Sequence, residues 1–471
     1  MATDDGRGLE RLEAWARAVV GAISPATLAA ERWSGLRGRT PRSVELVDAF
    51  PFADGGILAV VEARPDDAGE PVRLTLPFPD AAPWSGLHVL ASQGGEVFGA
   101  RGGRLTGRPV GELREPRDGT GPPSAIRMTS GDQSHTSVVI DERAILKLYR
   151  RLTPGPNAEA EVMGALAAIP DAPVPTWLGQ VDLVHPGGQT TAVAIEQGFV
   201  AGALDPWELL ADGLATWLET GRGPVGTAIP ADAGLATGRL HAALAALGRR
   251  GVRGFELRPA TPDDRAAWQR RGEEGLAAAI RAIEPIDSDL AARLGKAMPA
   301  IRRSLRPLGD AAIPVRLQRI HGDLHVGQLL PAPSGMLIVD FEGDPMRAPE
   351  ERRALGPPLQ DVACFLRSIY HVARSGFRRA HERLGGQPGP DALTILDGWI
   401  RDARSVFTAG YAAGIGDPAW TPDRALLRAL EVEKELGEFE YAARYLPAWL
   451  YAPAGGLRAL LGAIVEPPPA G

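Results

Sequence analysis

The 471-residue chain is long enough for two or three domains or for one large two-lobed enzyme. Its 51 Lys and Arg against 58 Asp and Glu leave a net charge of −7, which argues against a nucleic-acid binder, whose footprint is a basic patch. A single cysteine, Cys364, excludes an intramolecular disulfide, and no stretch of about 20 apolar residues offers a membrane span. The start, MATDDGRGLERLEAW, has no apolar segment behind a basic one, so no secretory signal is expected and a cytoplasmic location is.

Leu9, Leu12, Trp15, Ala16, Val19 and Val20 recur at helical spacing and predict a helix over 9–32. Alternating apolar residues predict strands over 43–50, 56–64 and 71–78, an antiparallel meander. Residues 80–123 are rich in Gly and Pro, with weak strand signals around 88–100. Two strands around a polar turn are expected over 124–140 and another over 143–151, with Lys147 inside it. A helix follows within 154–169, then strands over 176–183 and 191–200. Beyond Asp205 helices dominate: 206–219, 231–249, 262–283, 286–304, 358–375, 391–413 and 422–445. The exception is 315–340, where RLQRIHGDLH and MLIVDFEGD carry strand-like runs. A sheet-rich first half before a helix-rich second half predicts an α+β, two-lobed layout.

Phosphoryl transfer from ATP needs a cation on the phosphates, oxygen ligands for Mg2+, and a carboxylate at the attacking hydroxyl. The chain supplies these in order. Lys147 lies in a strand, and Glu159 and Glu161 follow on a helix where either could hold its ammonium, with Glu161 the one assigned to the nucleotide site. Asp323, in His321-Gly322-Asp323-Leu324-His325, suits the carboxylate that receives the hydroxyl proton. Gln328 falls five residues later, where a kinase catalytic loop carries a metal-binding amide. Asp340 matches the Asp of a D-F-G motif and would be the second metal ligand. His321 is expected to buttress the loop; His325 is open between loop support and substrate contact. No G-x-G-x-x-G loop is present. Ser130-Gly131-Asp132-Gln133-Ser134-His135-Thr136-Ser137 could cradle phosphates, with Ser134 as the contact, or could be a plain hairpin turn. Gln197, Phe199 and Val200 end the last strand, where backbone groups could meet adenine. Trp207 is expected to pack its helix, His241 to lie in the core, Cys364 to be inert, and Arg347, Arg352 and Arg353 to be structural.

Together, G-D-Q-S-H-T-S-V-V, I-L-K-L-Y-R-R-L, Q-R-I-H-G-D-L-H-V-G-Q and V-D-F-E-G-D-P resemble the maltokinases. These are kinases of the aminoglycoside-phosphotransferase type. The resemblance implies a bilobal, protein-kinase-like α+β fold with an N-terminal cap, and an enzyme using ATP and Mg2+ on a small sugar. It divides the chain into a cap (1–100), an N-lobe with ATP-binding elements (101–200) and a helical C-lobe with the catalytic loop and sugar site (201–471). The implied partners are a sugar and ATP, without nucleic acid or membrane, in a monomer or homodimer.

The C-terminal pattern departs from the maltokinases. Ala442 stands where they have Glu, Tyr445-Leu446 replace Asn-Arg, and the cap reads ERWSGLRGR rather than a form near QRWFAGKGR. The stretch from Glu431 to Trp449 looks more like the glucosamine kinases of the same group. An ammonium sugar calls for carboxylates. Glu431, Glu435 and Glu438 are spaced i, i+4, i+7, with Tyr441 near that face and Trp449 able to stack on a sugar ring. The alternative is a solvated acidic stripe. The expected reaction is phosphorylation of D-glucosamine at position 6, contacted by Asp323, His325, Glu431, Glu435, Glu438, Tyr441 and Trp449. The alternative is maltose, giving maltose 1-phosphate.

Overall fold

The computed structural model describes residues 5–36, 39–65, 69–78, 83–110, 123–129, 135–222 and 225–462. Two compact units emerge: residues 1–168 with 175–201, and 169–174 with 202–471.

The first unit begins with α1 (Asp5–Gly21) and α2 (Pro25–Ala30), then β1 (Pro41–Pro51), β2 (Ile57–Pro65) and β3 (Val72–Phe78). Next come α3 (Pro83–Gln93), β4 (Gly95–Phe98), β5 (Arg104–Pro109), β6 (Ile126–Met128), β7 (His135–Ile140), β8 (Ala144–Tyr149) and β9 (Arg151–Leu152). It closes with α4 (Ala158–Leu166), β10 (Trp177–Val184) and β11 (Thr190–Gly198). One antiparallel sheet has the order β1-β2-β3-β9, so the expected meander is present. Leu46, Val61 and Leu74 on its inner face pack with Ala16 and Val20 of α1. The second sheet runs β4-β5-β10-β11-β8-β7-β6.

The weak strand signal at 88–100 is mostly overturned, because α3 occupies 83–93 and only Gly95–Phe98 is strand. Trp84, Leu87, His88 and Ala91 are buried at helical spacing, which a strand would split between two faces. The helix sits against the sheet through two glycines. A Cβ at Gly107 would lie 1.9 Å from the Leu90 carbonyl, and one at Gly179 2.1 Å from that of Ala91.

The second unit starts with α5 (Pro206–Thr220), α6 (Ala228–Arg249), β12 (Arg258–Pro259), α7 (Pro262–Ile283), α8 (Ser288–Leu305) and β13 (Arg316–Leu317). It continues through β14 (Leu329–Ala332), β15 (Gly335–Ile338), α9 (Pro349–Arg352), α10 (Pro358–Leu384), α11 (Ala392–Gly414), α12 (Arg424–Tyr445) and α13 (Tyr451–Leu461). Helix starts are chemically marked. Asp205 caps α5 just ahead of Pro206, Thr261 and Asp264 form a capping box on α7, and Asp423 caps α12.

Helix α10 is the centre of this unit: every residue from Gln360 to Ile369 is buried. Its Phe365 stacks on Phe407 of α11 at 4.3 Å, and each ring so buried contributes roughly 1.5–3 kcal/mol. Helices α6 and α11 meet through small residues. A Cβ on Gly238 would lie 2.4 Å from the Tyr411 carbonyl, and one on Gly414 2.4 Å from that of Leu235. This close approach brings His241 of α6 against Tyr411 and Asp361. Among the described residues no helix is long and apolar enough to cross a membrane.

Candidate active site

The loop His321–Gln328 leaves β13 after two backbone hydrogen bonds between Gln318 and Gly356 and enters β14. Its backbone is held from below by one buried carboxylate. Asp361 of α10 accepts from His321 N (2.8 Å) and Gly322 N (2.9 Å), and lies 2.9 Å from His241 Nε2. Burial alone would push the Asp361 carboxyl up; the His241 hydrogen bond and the loop N–H groups outweigh it and hold it below the usual carboxylate range. His321 has the buttressing place expected of it. Its Nε2 is 3.0 Å from the Val339 carbonyl and its Nδ1 accepts from Asp323 N, which defines a neutral tautomer. His241 and Cys364 are buried, as their apolar helix faces predicted, and burial pushes the Cys364 thiol up to about 12.

Asp323 opens onto a cavity of about 210 Å³, a size that suits one sugar ring. Its lining includes His325, Asp344, Arg367, Lys434, Glu438 and the aromatic rings of Trp207, Tyr441 and Trp449. Lys434 Nζ lies 2.9 Å from Asp323 Oδ1, 2.8 Å from Asp344 Oδ2 and 3.7 Å from Glu438 Oε1. Arg367 reaches Glu438 Oε1 at 2.9 Å. Burial would push all three carboxyls up, yet they are held below the usual range: Asp323 and Asp344 chiefly by Lys434, Glu438 chiefly by Arg367. Burial would in turn lower Lys434, but Asp323, Asp344 and Glu438 raise it well above an ordinary lysine. Three carboxylates against two cations leave one net negative charge. Burial keeps His325 neutral at neutral pH, so it adds none.

Gln328 and Asp340 are brought together. Gln328 Nε2 lies 3.2 Å from Asp340 Oδ2 and 3.2 Å from His325 Nε2, so its amide oxygen is the atom left for a cation. Asp340 has φ +67°, a left-handed backbone that side chains rarely adopt and that clusters at functional sites. His325 Nδ1 lies 3.1 Å from Gly327 N, so this residue supports the loop and lines the cavity.

In the first unit, Lys147 Nζ is 2.7 Å from Glu159 Oε2. This corrects the choice of Glu161: both acids lie in the first turn of α4, and Glu159, 2% exposed, is the one that meets β8. Tyr149 also donates to Glu159, at 2.8 Å. Gln197 pairs with Ile145 across β11 and β8, Phe199 N donates to the Arg143 carbonyl, and Val200 follows the strand end. Ser134 lies outside the described residues.

Two of the expected sugar contacts are corrected. Glu431 is bound by Arg404 of α11 at 2.6 Å, and Glu435 by His371 of α10 at 3.0 Å; neither lines the cavity. Helix α13 seals Glu435, since a Cβ on Gly456 would lie 1.9 Å from Glu435 Oε1. The acidic stripe is therefore real as a helix face, but the face is buried and only Glu438 reaches the cavity. Trp207 does more than pack its helix: its ring lies 5.8 Å from that of Trp449 and lines the cavity. Sequence reasoning missed Asp344, Arg367 and Lys434. The second Asp of D-F-E-G-D and the lone Lys within an acidic run were the available signals. Arg347 has the structural place expected, within 3.6 Å of Glu433.

The model of the phosphotransferase enzyme family matches residues 126–396. Glucosamine kinase of Streptacidiphilus jiangxiensis is 32% identical over 351 residues, 73% of this chain and 75% of that protein. Glucosamine kinase of Mycolicibacterium smegmatis is 31% identical over 342 residues, 70% of this chain and 78% of that one. A solved glucosamine kinase in complex with glucosamine, ADP and inorganic phosphate superposes with a TM-score of 0.67 at 27% identity, over 94% of this chain and 99% of that one. The chain belongs to the phosphotransferase enzyme family, and glucosamine kinases are among its relatives.

Proposed function

We propose that this protein transfers the γ-phosphoryl group of ATP to a hydroxyl of an aminosugar, with D-glucosamine as acceptor and glucosamine 6-phosphate as product. The observation that carries this is the cavity of Asp323, Asp344 and Glu438, whose one net negative charge complements an ammonium sugar. The rings of Trp207, Tyr441 and Trp449 suit the apolar face of a pyranose. Two relatives are glucosamine kinases, and a glucosamine kinase was solved with glucosamine and ADP, which supports the same substrates. Neither the cavity size nor these relatives favour maltose, the alternative raised by the sequence.

In this reading the sugar hydroxyl oxygen forms a bond to the γ-phosphorus as the bond to the β-phosphate oxygen breaks. ADP leaves with that electron pair, and the hydroxyl proton passes to Asp323. Lys147, oriented by Glu159, is assigned to the nucleotide phosphates, and backbone groups of Gln197, Phe199 and Val200 to adenine. The amide oxygen of Gln328 and the carboxylate of Asp340 are hard donors that fit Mg2+. Bound there, Mg2+ supplies charge neutralisation to the phosphates. The assignment of 1–100 as a cap, 101–200 as the nucleotide-binding part and 201–471 as the sugar-binding part belongs to the same reading. Dependence on ATP supports a cytoplasmic location, and a monomer or homodimer is part of the same proposal.

The test is to incubate the protein with ATP, Mg2+ and glucosamine and identify the product by phosphorus NMR. One glucosamine 6-phosphate per ADP is expected. Phosphate at the anomeric position, or ADP without sugar phosphate, would count against the proposal.

A further inference from the structure

Lys434 lies at the floor of the cavity, and its side chain is only 12% exposed. Burying a lysine costs free energy unless its charge is paired. Here the pairing is specific: Asp323 at 2.9 Å and Asp344 at 2.8 Å, from two different segments of the catalytic region. The contact with Asp323 is to Oδ1, and among the described residues no donor meets Oδ2. One oxygen is thus fixed and the other left for the sugar hydroxyl.

We infer that Lys434 is a positioning residue for phosphoryl transfer, holding Asp323 ionised and oriented as the acceptor of the hydroxyl proton. The inference rests on the phosphotransferase reading of Asp323. Its opposite would be a lysine that merely ties α12 to the loop after β15 through Asp344. Charge separates the two. Asp323 faces Lys434 from α12, Arg367 and Cys364 from α10, His321 and His325 from its own loop, and Asp344 from the following one. Arg367 is committed to Glu438, so Lys434 is the cation in direct contact with Asp323. Without that charge, burial and the neighbouring Asp344 and Glu438 are opposed chiefly by the more distant Arg367, and the Asp323 carboxyl rises.

The sign follows. In the wild type Asp323 is ionised throughout pH 5–8, so kcat/KM has no acid limb from it. In Lys434→Gln, which keeps a hydrogen-bond donor but no charge, an acid limb enters that range, a rise of about 3–5 units, the size that burial gives an unpaired carboxyl. Activity at neutral pH falls roughly tenfold or more through kcat. KM for a cationic sugar does not rise, because the cavity has gained a negative charge. Lys434→Arg restores the charge and removes the limb.

The experiment is the pH profile of kcat/KM for each variant divided by that of the wild type, which cancels the titration of ATP and of the sugar. It uses whichever of glucosamine, glucose and maltose the wild type phosphorylates best. Failure of glucosamine as acceptor therefore overturns the substrate proposal and leaves this test intact. A flat ratio for Lys434→Gln across pH 5–8, or a rise in KM with kcat unchanged, overturns the inference. If Lys434→Gln fails to fold, Lys434→Met carries the same prediction with the same readout. If neither neutral variant folds, a structural tie is the better account and the inference is overturned.

Discussion

Asp323→Asn lowers kcat by about 10²- to 10⁴-fold, the range a positioned proton acceptor contributes, and leaves the KM for ATP within a few-fold of wild type. Asn is nearly isosteric and can still accept a hydrogen bond, but its amide cannot take the hydroxyl proton. The fold is expected to survive. Lys434 retains Asp344 at 2.8 Å and Glu438 at 3.7 Å, so no cation is left without a carboxylate. Steady-state kinetics alongside a thermal melt checks this. A variant with wild-type kcat would remove Asp323 from the chemistry, whereas a large loss of stability would mean that the residue holds the loop rather than the proton.

The second large effect falls on a residue that touches no substrate. Asp361 is 0% exposed and serves His321 N, Gly322 N and His241 Nε2 together. Asp361→Ala leaves two buried N–H groups and a buried imidazole without their partner, each a penalty of about 1–3 kcal/mol. A total loss of roughly 3–5 kcal/mol is expected, as for breaking a buried pair by removing one side. Activity falls with it, because the N–H groups that Asp361 holds belong to the loop bearing Asp323. Asp361→Asn is the more telling variant. Its one carbonyl oxygen replaces two carboxylate oxygens, and its NH₂ faces a backbone N–H, so kcat drops even where the protein stays folded. Chemical denaturation and kcat on the same preparations separate the two effects. Undiminished stability in Asp361→Ala would contradict the role given to this carboxylate.

The proposed catalytic loop was legible because its chemistry is contiguous: Asp323, Gln328 and Asp340 lie within 18 residues, and phosphoryl transfer needs fixed groups at fixed spacing. Most helices were legible for a related reason, being long, capped and periodic. The cavity beside Asp323 was less so. Its ion pairs join residues distant in the chain, such as Arg367 with Glu438 and Asp344 with Lys434, and no local pattern announces them. The i, i+4, i+7 spacing of Glu431, Glu435 and Glu438 did identify one helix face. What it could not give was the partners, Arg404 on α11 and His371 on α10, that bind the first two away from the cavity. Similarly, Glu159 and Glu161 are chemically equal in sequence, and the packing of α4 against β8 decides between them. At 83–93 the helix was missed because glycines and prolines around it masked its period, while its contacts with Gly107 and Gly179 are tertiary.

The central claim is that the carboxylates around Asp323 select an aminosugar. It is tested most directly by the ratio of kcat/KM for glucosamine to that for glucose, two acceptors that differ only at the C2 substituent. A charge-assisted hydrogen bond is worth about 1.5–3 kcal/mol, so a ratio of roughly 10- to 150-fold in favour of glucosamine is expected at neutral pH. A ratio near one, or a preference for glucose, would contradict the account.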